Sequence, residues 1–274
     1  MIEELRNEIR RFVREDPGNG FADGSGPYFA EPLVGIAAAA DPLFRDYKTI
    51  IGPFYLLPQE LLASAASVIC WVLPIVQPTR ASNRLQSQGP SREWALTRSH
   101  GEAFNGALRR HLVAWLEGRG GEAAAPQFSP LWREFAETPV GIASNWSERH
   151  TAYVAGLGTF SLNDGFITEK GMAHRCGSVI TDLSLPPSPR PYPNHLDNCL
   201  YHRNGSCGAC IGRCPVQALS YSGHDKERCR AFVYGAAPQA LAETYGVAQT
   251  GCGLCQTRVP CEAAIPLSGR TLPV

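Results

Sequence analysis

Cysteines are crowded into the last third of this 274-residue chain. Of its 10 cysteines, eight follow residue 198. They are Cys199, Cys207, Cys210, Cys214, Cys229, Cys252, Cys255 and Cys261. Crowding of this kind indicates disulfide bonds, zinc or iron–sulfur clusters. The first 16 residues carry charges throughout and lack the apolar core of a signal peptide, so we expect a cytoplasmic chain, in which disulfides are rare. The crowding therefore favours a metal-binding role.

The spacing of these cysteines is typical of a protein with two iron–sulfur clusters. Residues 207–215 read Cys-x2-Cys-x3-Cys-Pro, which is the last three quarters of the bacterial ferredoxin signature. In two-cluster ferredoxins the fourth cysteine of each set binds the other cluster. We therefore predict two [4Fe–4S] clusters, one on Cys199, Cys207, Cys210 and Cys261 and the other on Cys214, Cys229, Cys252 and Cys255. Two four-thiolate zinc sites are the main alternative, and free thiols or disulfides are a further one.

The two remaining cysteines lie in the first part of the chain. Cys70 is in an apolar stretch, and we interpret it as a small buried side chain. Cys176 follows His174 and Arg175, which would lower the pKa of a reactive thiol. A structural thiol is the interpretation that we favour for Cys176.

Helix and strand patterns alternate up to about residue 184, and the composition of 44% hydrophobic and 18% charged residues excludes a disordered chain or a coiled coil. Five prolines in 185–194 indicate a boundary between an α/β domain at 1–190 and a cysteine-rich domain at 191–274. Residues 61–79 carry no charge but include two prolines, so we predict the end of a helix and a buried strand rather than a membrane span. The patterns predict strands at 32–39, 68–76 and 175–183 and helices at 58–67, 93–118 and 145–155.

The charges of the chain balance, with 25 Lys and Arg against 25 Asp and Glu. A zero net charge gives no global positive field to hold a phosphate backbone. We therefore do not expect strong binding of tRNA.

Residues 145–262 resemble the superfamily of epoxyqueuosine reductases and reductive dehalogenases, and look closest to its short members. The resemblance is carried by AGLG at 155–158, GSVITD at 177–182, CGACIGRCPVQAL at 207–219 and GCGLCQ at 251–256. It implies a nitroreductase-like α/β domain followed by a two-cluster ferredoxin-like domain. It also implies that electrons pass through the clusters to a cobalamin held between the domains, where the substrate is reduced.

The resemblance also implies site residues in the α/β domain. It places the corrinoid against Ala155, Gly156, Leu157, Gly158, Gly177 and Ser178, with Arg175 as a residue for an anionic group. Reduction needs a proton donor, and Tyr153 and His174 are the candidates, although both residue types also serve in packing. The chain departs from the epoxyqueuosine reductases at Ser161 and Leu162, which replace a Gly-Lys pair, and at 141–146, where their catalytic aspartate has no counterpart.

The chain is therefore predicted to be an iron–sulfur reductase that passes low-potential electrons through two [4Fe–4S] clusters to cobalamin or to a substrate. The substrate would be a small molecule or a modified nucleoside, and the electrons would come from an external donor such as ferredoxin or flavodoxin. The alternative is a non-catalytic electron-transfer protein that donates to a corrinoid or to another partner protein. No membrane partner is expected.

Overall fold

A computed structural model of the protein describes residues 1–267, which form a mixed α/β fold. The helices are α1 (Ile2–Glu15), α2 (Pro42–Ile50), α3 (Pro58–Leu61), α4 (Gln77–Arg84), α5 (Arg92–Glu117), α6 (Glu148–Val154), α7 (Leu200–Asn204), α8 (Ala209–Arg213), α9 (Lys226–Val233) and α10 (Ala236–Tyr245). The strands are β1 (Leu33–Ala38), β2 (Ser67–Pro74), β3 (Ala123–Ala124), β4 (Glu134–Phe135), β5 (Ala143–Ser144), β6 (Gly158–Phe160), β7 (Phe166–Thr168), β8 (His174–Thr181), β9 (Leu219–Ser220) and β10 (Gly223–His224).

A four-stranded antiparallel sheet with the order β1-β2-β8-β3 forms the centre of the fold. Every residue of β2 is buried, which explains why the stretch around it carries no charge. Within residues 1–267, no helix is long and apolar enough to cross a membrane. Within the uncharged stretch at 61–79, Ser67–Pro74 form a buried strand, as predicted.

Helices cover both faces of the sheet. Alternate residues of β2 point to opposite faces, so Trp71 packs with α1 and α5 while Cys70 packs with α2 and α6. Cys70 is fully buried, as predicted. Helix α5 begins after Ser91, whose side chain accepts from the Trp94 N–H, and ends before Gly118. These boundaries confirm the predicted helix at 93–118 to within one residue.

The predicted helix at 58–67 is wrong over most of its length, because the structure ends α3 at Leu61. The glutamate near its start folds back so that Glu60 Oε2 accepts from the Leu57 N–H at 2.6 Å. Leu62 is already extended, at φ −143° and ψ 109°. A run of small residues therefore leads into β2 as a turn instead of a longer helix.

The cysteine-rich segment after residue 190 consists of short elements that are tied to the sheet part of the chain. The Arg84 guanidinium donates to the buried Glu262 carboxylate at 2.6 to 3.0 Å. The Arg213 guanidinium donates to the carbonyls of Asn83 and Gln86 on one side and of Leu254 on the other. The proline-rich segment also packs on the sheet, since the Ser188 N–H donates to the Ile36 carbonyl at 2.8 Å. These bonds fix the position of the cysteines relative to the sheet.

Candidate functional site

Four cysteines from three separate segments line one enclosed apolar pocket. They are Cys199 before α7, Cys207 and Cys210 at the start of α8, and Cys261 in the loop after residue 256. The Met172 N–H donates to the Cys261 carbonyl at 2.9 Å and so anchors that loop to the sheet part of the chain. The structure therefore brings together the four cysteines that the spacing assigned to the first cluster.

The other four cysteines form a second group beside the first. The thiol of Cys252 interacts electrostatically with those of Cys229 and Cys214, and the thiol of Cys255 interacts with those of Cys252 and Cys229. Cys255 also interacts with Cys210 of the first group. The eight thiols thus lie in two neighbouring sets, and the assignment of each set to one cluster stays a prediction.

Four of the eight thiols are costly to ionise in the chain without a metal. Burial, followed by the charges of the neighbouring thiols, raises the pKa of Cys210 to about 12 and that of Cys252 to about 11. The same two causes raise the pKa of Cys255 and Cys261 still further. Thiolates are the form that binds metal, and a cationic core between them would relieve both penalties. The donor set therefore fits a metal cluster.

All ten cysteines of the chain are free thiols. Among the residues that the structure describes, no group of three or more His, Cys, Asp or Glu side chains is arranged to hold a single metal ion.

The glycines of the AGLG turn at 155–158 are required by the packing of the chain itself. Gly156 ends α6 with φ +75°, and a Cβ added there would lie 2.1 Å from the Pro189 carbonyl oxygen. A Cβ at Gly158 would lie 2.3 Å from the Ile167 carbonyl oxygen. Ala155 is fully buried, and Leu157 packs against β1 at Gly35. The turn is closely covered by groups of the chain itself.

The predicted corrinoid residues of β8 are also engaged within the chain. Gly177 lies under the Trp71 indole, where an added Cβ would approach the ring to 2.5 Å. The Ser178 hydroxyl donates to Glu148 at 2.5 Å and accepts from the Trp146 indole N–H at 3.1 Å. Among the matched residues, Ala155, Gly158, Gly177 and Ser178 are buried, while Gly156, Leu157 and Arg175 are partly exposed. Cobalamin binding stays a prediction.

The two predicted proton donors are separated in the structure. A row of aromatic rings joins Tyr153 to His174 through Phe160 and Phe166, with successive ring centroids 6.2, 5.5 and 6.2 Å apart. Burial lowers the pKa of His174 to about 4, and its Nε2 bonds the Phe166 carbonyl at 2.7 Å. Burial raises the pKa of Tyr153, which is half-buried. At neutral pH the Tyr153 phenol therefore keeps its proton, while the one N–H of His174 is occupied.

Arg175 acts to lower the pKa of Cys176, as expected, but burial outweighs this effect. Burial, and then the charge of Glu148, raises the pKa of Cys176 to about 12. Its Sγ lies 3.5 Å from His174 Nδ1. Cys176 is therefore an un-ionised structural thiol, the interpretation that the sequence favoured.

A buried charge network that sequence reasoning missed lies between α5, α6 and β8. Arg109, only 2% exposed, donates to Glu102 at 3.0 Å, to Glu148 at 3.3 Å and to the Cys176 carbonyl at 3.2 Å. Arg175 donates twice to Glu102, at 2.8 and 2.6 Å. Against the opposing effect of burial, Arg175 and Arg109 lower the pKa of Glu102 to about 2. Arg175 is thus paired with a carboxylate.

The pKa of Glu148, in the same network, is shifted in the opposite direction to that of Glu102. Burial raises the pKa of Glu148 although Arg109 and the Ser178 hydroxyl oppose the effect.

One signal in the sequence pointed to Arg109, because it shares the helical stripe of Leu112 and Leu116 on α5. An acidic residue in the first turn of a helix is ordinary, so nothing in the sequence marked Glu148 as buried.

Comparison with curated proteins finds relatives that are named epoxyqueuosine reductase. The chain is 29% identical over 209 residues to an epoxyqueuosine reductase of Bacillus anthracis, an alignment that covers 74% of this chain and 50% of that protein. It is 22% identical over 288 residues to an epoxyqueuosine reductase of Burkholderia pseudomallei, covering 94% and 67%. The chain thus spans about half the length of the first of these relatives. No family model matches.

Solved structures share the fold. A crystal structure of an epoxyqueuosine reductase aligns with 98% of this chain and 68% of that chain, at a TM-score of 0.56 and 17% identity. A catabolic reductive dehalogenase aligns with 98% of this chain and 37% of that chain, at a TM-score of 0.55 and 14% identity. The mixed α/β fold is therefore the one found in both groups of enzymes. Together with the curated relatives, these likenesses support the predicted resemblance to the superfamily of epoxyqueuosine reductases and reductive dehalogenases.

Proposed function

We propose that the protein is an iron–sulfur reductase that passes low-potential electrons through two [4Fe–4S] clusters to a substrate bound beside β8. The observation that carries the proposal is the division of the eight thiols into two adjacent groups of four. Cys199, Cys207, Cys210 and Cys261 would hold one cluster, and Cys214, Cys229, Cys252 and Cys255 the other. When bound, the clusters supply single electrons at low potential.

We favour a cube over a zinc ion because Cys214 is followed by Pro215, as in the bacterial ferredoxin signature. A [4Fe–4S] cube takes one thiolate at each of its four irons, so its ligands stand farther apart than those around one zinc ion, which are all bonded to the same atom. Cys210 belongs to one group and Cys255 to the other, yet their thiols interact electrostatically. This interaction supports a short path for electrons between the two clusters. We propose that residues 191–274 form the cluster domain and residues 1–190 the substrate domain.

The residues of the sheet part would bind and protonate the substrate. Tyr153 retains its phenolic proton at neutral pH and is half-exposed, so we propose it as a proton donor. Glu148, in the charge network of Arg109, accepts from that guanidinium at 3.3 Å. The bond from Ser178 keeps the Glu148 carboxyl in place.

The names of the relatives favour an enzyme over a non-catalytic electron carrier. A related structure is described in complex with an epoxyqueuosine-modified tRNA stem loop, which supports a modified nucleoside as one candidate substrate of this chain. A small molecule is the other. An external donor such as ferredoxin or flavodoxin would supply the electrons in the cytoplasm. Cobalamin is a candidate cofactor by relationship alone.

The proposal is tested with protein purified without oxygen and with matched cysteine variants. Cys210→Ser should lose about half of the bound iron and acid-labile sulfide, because one of two cubes loses a ligand. Cys70→Ser and Cys176→Ser are the controls, since neither cysteine belongs to a group of four, and both should retain full iron. Equal iron in Cys210→Ser and in the controls would refute the assignment.

A further inference from the structure

A cleft opens between helix α5 and the loop that follows α10. Its volume of about 480 Å³ lies within the range of small-molecule sites, roughly 300–1,000 Å³. Its charged and aromatic walls are Arg98, Glu102, Arg109, Arg110 and Phe128. On the α5 side, Gly106 lets the Phe128 ring and the Arg110 guanidinium lie close to the helix, since a Cβ there would be 3.4 Å from the ring.

Positive charge dominates this cleft. Three guanidinium groups line it against a single carboxylate. That carboxylate, Glu102, already accepts from Arg109 and from Arg175. Within the part of the chain that the structure describes, neither Arg98 nor Arg110 pairs with a carboxylate. The unbalanced charge of the cleft therefore resides on these two residues.

Neutral groups hold the two unpaired arginines in place. Arg98 Nη2 donates to the Gln249 side-chain oxygen at 3.1 Å. The Arg110 guanidinium stacks over the Phe128 ring, 5.2 Å from its centroid. These contacts orient both side chains and use few of the five N–H donors that each guanidinium carries.

The crowding of positive charge has an energetic consequence. Arg98 is half-buried, and its pKa is lowered first by the nearby Arg175 and then by burial. Like charges that are partly withdrawn from water repel each other strongly. An anion in the cleft would relieve this repulsion.

We propose that the cleft binds a small oxyanion, a carboxylate or a phosphate group, between Arg98 and Arg110. A planar guanidinium pairs with either group through parallel N–H···O bonds. A cleft lined by one sign of charge also concentrates ions of the opposite sign. The charge network of Arg109 joins this cleft to Arg175 and Glu148, so we infer that the oxyanion is part of the substrate of the reductase. Only this assignment to the substrate rests on the proposed function.

The test titrates the purified protein with inorganic phosphate and with acetate at constant ionic strength, using calorimetry. Arg98→Gln and Arg110→Gln should each weaken binding by about tenfold or more, because a charge-assisted pair is lost. Arg92→Gln is the matched control, since Arg92 begins the same helix but is 52% exposed outside the cleft. It should bind like the unaltered protein.

Binding of either anion that is lost in the cleft variants supports the proposal, and the anion that binds more tightly identifies the group. Binding of neither anion, or equal binding in all three variants, overturns it. Arg110 is exposed, so Arg110→Gln should have the same thermal midpoint as the unaltered protein. This variant therefore tests the proposal even if Arg98→Gln does not fold. Iron is measured in the same samples. Iron-loaded protein that binds no anion contradicts only this inference, and anion binding without iron contradicts only the proposed function.

Discussion

Replacing Arg109 by glutamine should destabilise the fold more than replacing any surface arginine. Arg109 is 2% exposed and bridges Glu102, Glu148 and the Cys176 carbonyl. Breaking a buried ion pair costs about 3–5 kcal/mol, because the partner charge remains buried. Glu102 keeps its two bonds from Arg175, so the uncompensated charge is that of Glu148. We therefore expect a loss near the lower end, about 3 kcal/mol.

The pH dependence of that loss identifies its cause. The pKa of Glu148 is raised above its ordinary 4.5 in the folded protein, so the folded state is favoured below pH 4.5 and loses this contribution as the pH rises through the raised value. Without Arg109 the pKa rises further and the loss grows. The pKa of Glu102 is lowered to about 2, so its contribution is constant above its ordinary value and fades only in acid. The Arg109→Gln variant should therefore be less destabilised at about pH 5 than at about pH 8.

Urea unfolding of the variant at both pH values measures this difference. Adding Glu148→Gln to Arg109→Gln should restore part of the lost free energy and remove the pH dependence, because no buried carboxylate is then left unpaired. A loss below about 1 kcal/mol, or an equal loss at both pH values, would refute the reasoning.

Two further predictions concern packing and the attachment of the cysteine-rich segment. Gly177→Ala would place a methyl group 2.5 Å from the Trp71 ring. It should lower the free energy of unfolding by about 2 kcal/mol, which would be measured as a lower thermal midpoint. An unchanged midpoint would contradict this prediction and show that the ring has room to move. Glu262→Gln removes the buried partner of Arg84 and should cost about 2 kcal/mol in urea unfolding, whereas Glu60→Gln, at an exposed pair with Lys48, should cost no more than about 0.5 kcal/mol. Equal effects of the two glutamate changes would contradict the anchoring role of Glu262.

Local signals determined what could be predicted from the sequence. The ends of α5 followed from Ser91 and Gly118, because capping depends on a few neighbouring residues. Ligand spacing constrains a chain independently of its fold and gave the proposed division of the cysteines between two clusters, which stays a prediction. The apolar run of β2 likewise indicated a buried strand.

Features that depend on contacts between distant segments were beyond the sequence. The order of the sheet, with β8 next to β2, joins residues more than a hundred positions apart. Glu148 is charged and near a helix start, so its local pattern matches that of a solvated residue. Its burial arises only because Arg109 and Ser178 come from other elements. The same holds for the AGLG turn, where the close approach of Pro189 supplies a structural reason that the motif alone did not show.

Iron and acid-labile sulfide analysis of protein purified without oxygen, combined with EPR after dithionite reduction, tests the central claim most directly. Two [4Fe–4S] cubes predict about eight iron and eight sulfide per chain, a brown colour and the signals of reduced cubes. Colourless protein that contains two zinc ions per chain, no sulfide and no EPR signal would contradict the account.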